Sequence, residues 1–149
     1  MGDEMTAQEY LEQIEKYDRI IESRKLEIMD LRSRASLPAS FSSETKVQTS
    51  RRADGMENLI INYIEKEEEL QEVILECWEK RQDIIRTIEQ LKAKEYGLLY
   101  CVFVERVNLQ EAAARFDRTY SWATTIKAKA LKNLQKILDE RKRNGLQNN

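Results

Sequence analysis

Residues 115–132 contain five hydroxyl side chains and five cationic side chains. Hydroxyl groups donate and accept hydrogen bonds at the edges of nucleic-acid bases, whereas Lys and Arg bind phosphates. These residue types therefore predict binding to a polyanion such as double-stranded DNA. The candidate contact residues are Arg115, Arg118, Thr119, Tyr120, Ser121, Trp122, Thr124, Thr125, Lys127, Lys129 and Lys132.

The elements that must position these residues lie between residues 108 and 138, where the sequence has the signals of two helices joined by a tight turn. Asn108 can cap a helix, and Glu111 lies three residues further on, as in a capping box. Asp117 tolerates the left-handed geometry of a tight turn. Thr119 offers a hydroxyl to the first amides of the next helix. This order of signals is typical of a helix-turn-helix.

Apolar residues at helical spacing predict the inward faces of both helices. The first helix is predicted to end at Phe116 and to bury Ala112 and Ala113, while the second is predicted to start near Tyr120. The inward stripe of the second helix consists of Ala123, Ile126, Ala130, Leu131, Leu134, Ile137 and Leu138. The preceding segment, 95–106, could be a strand on composition alone, but Leu98, Leu99, Val102 and Phe103 recur at helical spacing. We therefore predict a third helix that completes the core of the module.

The stretch resembles the fourth conserved region of bacterial sigma factors, which reads the −35 element of promoters. The shared residues are Glu111, Ala113, Phe116, Asp117, Thr119, Ile126, Ala128, Lys129, Ala130, Leu131 and Leu134. The whole chain is similar to small phage and prophage proteins that are regarded as sigma-like or late-operon transcription regulators. The start of the second helix departs from the sigma pattern, because Tyr120, Ser121, Trp122, Thr124 and Thr125 replace its usual charged residues. The resemblance thus implies promoter binding, but it does not imply the target sequence of the sigma factors.

Composition and charge favour the same class of protein. Residues 1–91 carry 13 Lys and Arg against 21 Asp and Glu, a net charge of −8, whereas residues 92–149 carry 12 against 6, a net charge of +6. The chain has no histidine, and Cys77 and Cys101 lack metal-ligand spacing. We therefore expect no enzyme activity, no cofactor and no metal. No apolar run approaches the length of a membrane span, so a cytoplasmic protein is expected.

Two heptad seams predict a long antiparallel helical hairpin ahead of the module. The first seam is Tyr10, Ile14, Tyr17, Ile21, Arg24, Ile28 and Leu31. The second is Met56, Ile60, Tyr63, Glu67, Leu70, Ile74, Cys77, Arg81, Ile84, Ile88 and Leu91. Pro38 and many serines predict a linker over residues 35–55. The fold class expected is all-α, with a coiled-coil hairpin over residues 1–91 and a helix-turn-helix domain over residues 92–149.

Two features of this hairpin carry expectations about contacts. Two of the charged residues that interrupt the seams, Arg24 and Glu67, are expected to lie near each other as a pair that sets the register. The second helix is longer than the first, so residues 81–91 are expected to lack a partner in the hairpin. Either the C-terminal module or a second copy of the chain must then cover Ile84, Ile85 and Ile88. The apolar residues in and beside the two seams form a stripe that is broader than a two-helix hairpin can bury, so we expect a homodimer or higher oligomer. The alternative is that RNA polymerase or another protein covers this stripe.

The sequence thus predicts a phage or prophage transcription regulator that presents a sigma-like helix-turn-helix to promoter DNA. Two alternatives stay open. One is a DNA-packaging protein similar to small terminase subunits, although these usually have the DNA-binding module first. The other is a coiled-coil adaptor whose C-terminal module contacts only protein.

Overall fold

The computed structural model describes residues 5–41 and 50–147, and its ordered elements are helices. Helix α1 spans Ala7–Phe41, α2 Ser50–Ile88, α3 Ala93–Leu99, α4 Leu109–Arg115 and α5 Tyr120–Gln147. A π-helical segment, Tyr100–Val104, continues α3. The prediction of an all-α fold, with two long antiparallel helices followed by a small three-helix module, is confirmed. Within the described ranges, no helix is long and apolar enough to cross a bilayer.

The chain divides into two compact units, which we call the hairpin unit (residues 18–78) and the core unit (residues 1–17 with 79–149). In the hairpin unit, α1 and α2 are antiparallel and bury Ile21, Ile28, Leu70 and Cys77, all from the predicted seams. The predicted seam of α2 is less buried near its start, where the side chain of Ile60 is 42% exposed.

The predicted partner of Glu67 is wrong. Its carboxylate accepts a hydrogen bond from the guanidinium of Arg32 at 2.7 Å, while Arg24 pairs with Glu27 on its own helix at 3.1 Å. Arg24 lies eight residues before Arg32, which is about 12 Å along the helix axis. A seam repeats every seven residues, so the sequence alone does not specify which repeat of α1 faces which repeat of α2. The predicted register of the two helices is therefore displaced from the observed one.

In the core unit, the beginning of α1 lies beside the end of α2. The Tyr10 hydroxyl is 3.1 Å from the hydroxyl of Thr87, which itself donates to the carbonyl of Asp83. The expectation that residues 81–91 lack a partner is therefore wrong, because the actual register places the start of α1 against them. The two isoleucines Ile84 and Ile88 are almost completely buried.

The C-terminal module covers the rest of this surface. One cluster joins both long helices to the module and contains Ala7, Leu11, Ile14, Ile84, Ile85, Ile88, Leu99, Val104, Ala130 and Leu134. The side chain of Gln135 on α5 also accepts a hydrogen bond from the amide of Ala7 at 2.8 Å. The sequence predicts that either the C-terminal module or a second copy of the chain covers Ile84, Ile85 and Ile88. In the structure the C-terminal module packs against them.

The predicted linker of residues 35–55 is too long. Helix α1 continues through Pro38 to Phe41, and α2 already begins at Ser50. A proline removes one hydrogen bond from a helix and strains one turn, but it need not end the helix. The middle of the predicted linker, residues 42–49, lies outside the described residues.

Candidate nucleic-acid interface

Helix α4 begins where the sequence predicts. The side chain of Asn108 accepts a hydrogen bond from the amide of Glu111 at 2.8 Å, which satisfies one of the free donors at the helix start. Ala112 and Ala113 are buried on the inward face of α4, opposite Ala123 of α5. Small side chains at these positions let the two helices approach closely, so the angle between them is set by packing and not only by the turn.

The turn between α4 and α5 confirms the predicted roles of Asp117 and Thr119. Asp117 has a φ of 59°, in the left-handed region, and the next amide, of Arg118, donates to the carbonyl of Ala113 at 3.0 Å. The Thr119 hydroxyl accepts from the amide of Trp122 at 3.1 Å and caps α5. Helix α5 therefore starts at Tyr120 with its direction fixed by side-chain and main-chain hydrogen bonds.

A second apolar cluster lies beneath the turn and holds α4 and α5 against α3. Its buried members are Leu98, Cys101, Ala112, Ala113, Ala123 and Ile126, with Phe116 and Trp122 packed at the edge. Gly97 is essential to this contact, because a Cβ atom there would come within 2.8 Å of the Phe116 ring. No role is predicted for Gly97 from the sequence, although a glycine inside a helical pattern is a signal of such close packing.

The π-helical segment changes which residues of 95–106 face inward. The prediction of a helix here is confirmed, but Cys101 and Val104 are buried while Val102 and Phe103 are only half-buried. A π-helical turn contains one more residue than an α-helical turn and shifts the side chains that follow it. As a result Leu98 and Cys101 pack under the turn, whereas Leu99 and Val104 join the cluster that includes the two long helices.

Nine of the eleven candidate contact residues are exposed, and Trp122 and Lys127 are half-buried. The buried side of α5 contains Ala123, Ile126, Ala130 and Leu134. At 100° per residue, Ser121, Thr125 and Lys132 lie on the side opposite to this buried stripe. Lys136 is also exposed and follows Lys129 and Lys132 at helical spacing, so it belongs to the same face although it was not among the candidates. A continuous polar and cationic surface thus runs along about the first five turns of α5.

The hydroxyl groups of Thr124 and Thr125 are already engaged within α5. They donate to the carbonyls of Tyr120 and Ser121, each at 3.0 Å. Each hydroxyl oxygen can still accept a hydrogen bond. Both threonines are exposed, so their methyl groups are also available for contacts. In this rotamer the two threonines can accept hydrogen bonds from amino groups of bases or contact thymine methyl groups.

Trp122 packs within the module. Its ring centroid lies 5.6 Å from that of Phe116, and the guanidinium carbon of Arg118 lies 5.7 Å from the Trp122 ring centroid. Trp122 therefore supports the turn and positions the charge of Arg118 beside the start of α5. A shallow groove at this end of α5 is lined by Ala114, Asp117, Arg118, Thr119 and Trp122.

Two further candidate cations, besides Arg118, have partners inside the protein. Arg115 forms an ion pair with Glu105 and lies 3.7 Å from the carboxylate of Glu111. The hydrogen bond to Glu105 raises the pKa of Arg115 above its ordinary value. The Nζ atom of Lys127 lies 5.7 Å from the centre of the Phe103 ring. Because their charges already have partners, we assign Arg115, Arg118 and Lys127 a smaller part in binding phosphate than Lys129 and Lys132.

Comparison with protein-family models, with curated proteins and with solved structures finds no match to this chain. The assignment of the surface therefore depends on its own geometry and chemistry.

Proposed function

We propose that the protein is a sequence-specific DNA-binding transcription regulator in which α5 enters the major groove of double-stranded DNA. The observation that carries the proposal is the pairing of α4 and α5 through a capped left-handed turn, with hydroxyl and lysine side chains on the free side of α5. This arrangement has the parts of a recognition helix, namely polar groups at its start for base edges and cations further along for phosphates.

Charge supports the same proposal. The net charge of +6 in residues 92–149 contrasts with −8 in residues 1–91, so the positive field is concentrated in the segment that contains α4 and α5. The resemblance to sigma factors suggests a promoter as the target and phage or prophage genes as those controlled. Such a regulator would act in the bacterial cytoplasm, with RNA polymerase as its proposed second partner.

The test is selection of bound duplexes from a random-sequence library by the full chain, followed by footprinting of the enriched sequence. We expect one motif to be enriched, with protection of about one helical turn of DNA for each module bound. The matched control is the double variant Lys129→Ala/Lys132→Ala, which should lose most of the binding at moderate salt because it removes two phosphate contacts. If the unmodified chain binds no duplex even at low salt, the DNA-binding proposal is wrong and the module is better explained as a protein-binding adaptor.

A further inference from the structure

A second heptad pattern runs along α2 in the hairpin unit, one residue after the seam that packs against α1. It consists of Ile61, Ile64, Glu68, Gln71, Leu75 and Trp78, which we call the outer stripe. All six residues are exposed, and its four apolar members are between 46% and 57% exposed. Positions spaced by three and four residues lie on one side of a helix, so these side chains form a single line on the surface of the hairpin unit.

The order of residues in the outer stripe is self-complementary. An apolar pair, Ile61 and Ile64, comes first. It is followed by a polar pair, Glu68 and Gln71, and then by a second apolar pair, Leu75 and Trp78. If two copies of α2 lie antiparallel about a two-fold axis midway between Glu68 and Gln71, each Ile61 faces Trp78 and each Ile64 faces Leu75. The polar residues then face each other in the middle, and apolar residues meet apolar residues on both sides.

The polar pair specifies this orientation. In the antiparallel arrangement the amide of Gln71 from one copy can donate to the carboxylate of Glu68 from the other, and the two-fold axis makes this contact twice. In a parallel arrangement Glu68 would face Glu68, which places like charges together. A single polar layer in an otherwise apolar seam is known to fix register and orientation in coiled coils.

From this order we infer that a second copy of the chain covers the outer stripe, with α2 antiparallel to α2 in a symmetric dimer. The contact uses residues of the hairpin unit and none of the candidate DNA-binding residues. Each dimer therefore carries two helix-turn-helix modules, and the inference goes beyond the proposed function without depending on it.

Electrostatic repulsion gives this dimer a distinctive salt dependence. Residues 55–79 contain eight glutamates and one lysine, so two copies of α2 bring together surfaces of the same sign. Salt screens this repulsion and strengthens apolar association. A basic amphipathic helix from another protein, the alternative occupant, would bind less tightly as salt increases. The sign of the salt effect thus separates self-association from charge-driven docking.

The experiment is sedimentation equilibrium of the full chain without DNA, from about 0.05 M to about 0.5 M ionic strength. We expect a monomer–dimer equilibrium whose dissociation constant falls as salt increases. The double variant Ile64→Glu/Leu75→Glu should raise this constant at least about tenfold, since it buries four extra carboxylates in the dimer. The control is Leu59→Glu, which changes an exposed apolar residue on the opposite flank of the α2 seam and should leave the constant within about threefold.

The orientation has its own test. Gln71→Lys places an ammonium opposite Glu68 in the antiparallel dimer and should tighten it, whereas in a parallel dimer it places lysines together. The control is Asn62→Lys, because Asn62 is exposed and lies outside the outer stripe, and the substitution adds the same charge. Gln71→Lys must therefore lower the dissociation constant of the dimer more than Asn62→Lys does. A full chain that stays monomeric at all salt concentrations, or a Leu59→Glu variant as impaired as the double variant, would overturn the inference. DNA binding by the module would be unaffected by that result.

Discussion

The helix-turn-helix module and the hairpin unit bury their apolar residues to very different extents. In the module, Leu98, Ala112 and Ala123 are completely buried, and the turn between α4 and α5 is held by hydrogen bonds at both of its ends. In the hairpin unit, large apolar residues such as Leu26, Met29 and Ile64 are more than half exposed. Two packed helices cover only one stripe of each other, whereas three helices enclose a core. The module is enclosed within the core unit together with the ends of α1 and α2, whereas the hairpin unit leaves large apolar side chains exposed to solvent.

This contrast predicts that equivalent truncations have unequal costs. Leu98→Ala removes a side chain with no exposed area from under the turn, so it should lower the free energy of unfolding by about 2–5 kcal/mol. Leu26→Ala, at a residue that is 57% exposed in the hairpin unit, should change it by less than about 0.5 kcal/mol. Urea unfolding followed by circular dichroism measures both. Similar losses for the two variants would show that the hairpin surface is buried in solution.

The close packing beneath the turn can be tested at Gly97. Gly97→Val introduces a Cβ and two methyl groups where the Phe116 ring already comes within 2.8 Å of an added Cβ, so overpacking should cost about 1–3 kcal/mol. Gly145→Val is the matched control, because nothing lies within 4 Å of an added Cβ at Gly145. The control should cost little, since only its helix propensity changes. If Gly97→Val is as stable as the control, the Phe116 ring moves freely and the module is packed more loosely than its burial indicates.

Within the proposed DNA-binding face, phosphate contacts and base contacts should respond differently. Lys129→Ala should weaken binding to selected and random duplexes alike and should lower the salt dependence of binding by about one charge. Thr125→Ala should cost about 1–3 kcal/mol on the selected duplex and little on random DNA. Binding titrations at several salt concentrations measure both effects, with Lys25→Ala in the hairpin unit as the control for a change in net charge. If Lys129→Ala weakens only the selected duplex, or Thr125→Ala weakens both duplexes equally, the assigned roles are wrong.

The sequence predicts the module better than the hairpin, for a physical reason. The signals at Asn108, Asp117 and Thr119 act over three or four residues, so the local chemistry alone specifies both the start of α4 and the turn. The pairing of α1 with α2 instead depends on residues about 35 to 77 positions apart, and a seven-residue repeat is compatible with several registers. A glycine inside a helical pattern could have marked Gly97, but its partner Phe116 could not be predicted, because that contact depends on where α3 lies relative to α4.

The observed register of α1 and α2 predicts the smallest effect, a change in the pKa of one carboxyl group. The Arg32 guanidinium donates a hydrogen bond to Glu67 and holds the pKa of that carboxyl below its ordinary value. Arg32→Ala should therefore raise the pKa of Glu67 towards the ordinary range, as measured by NMR of the side-chain carbonyl. Arg24→Ala is the control and should leave the pKa of Glu67 unchanged, since Arg24 pairs with Glu27.

The sign of the accompanying stability effect follows from the direction of the pKa shift. A carboxyl whose pKa is lower in the folded state stabilises the protein above the pKa of the unfolded chain, and that contribution is lost as pH falls through the folded pKa. Unfolding of the unmodified chain and of Arg32→Ala should therefore differ near neutral pH and converge in acid. The difference should be small, because Arg32 is largely exposed and solvent screens the pair. A shift of the Glu67 pKa by Arg24→Ala and not by Arg32→Ala would instead restore the register in which Arg24 faces Glu67, and the antiparallel alignment of α1 with α2 would have to move by about two helical turns.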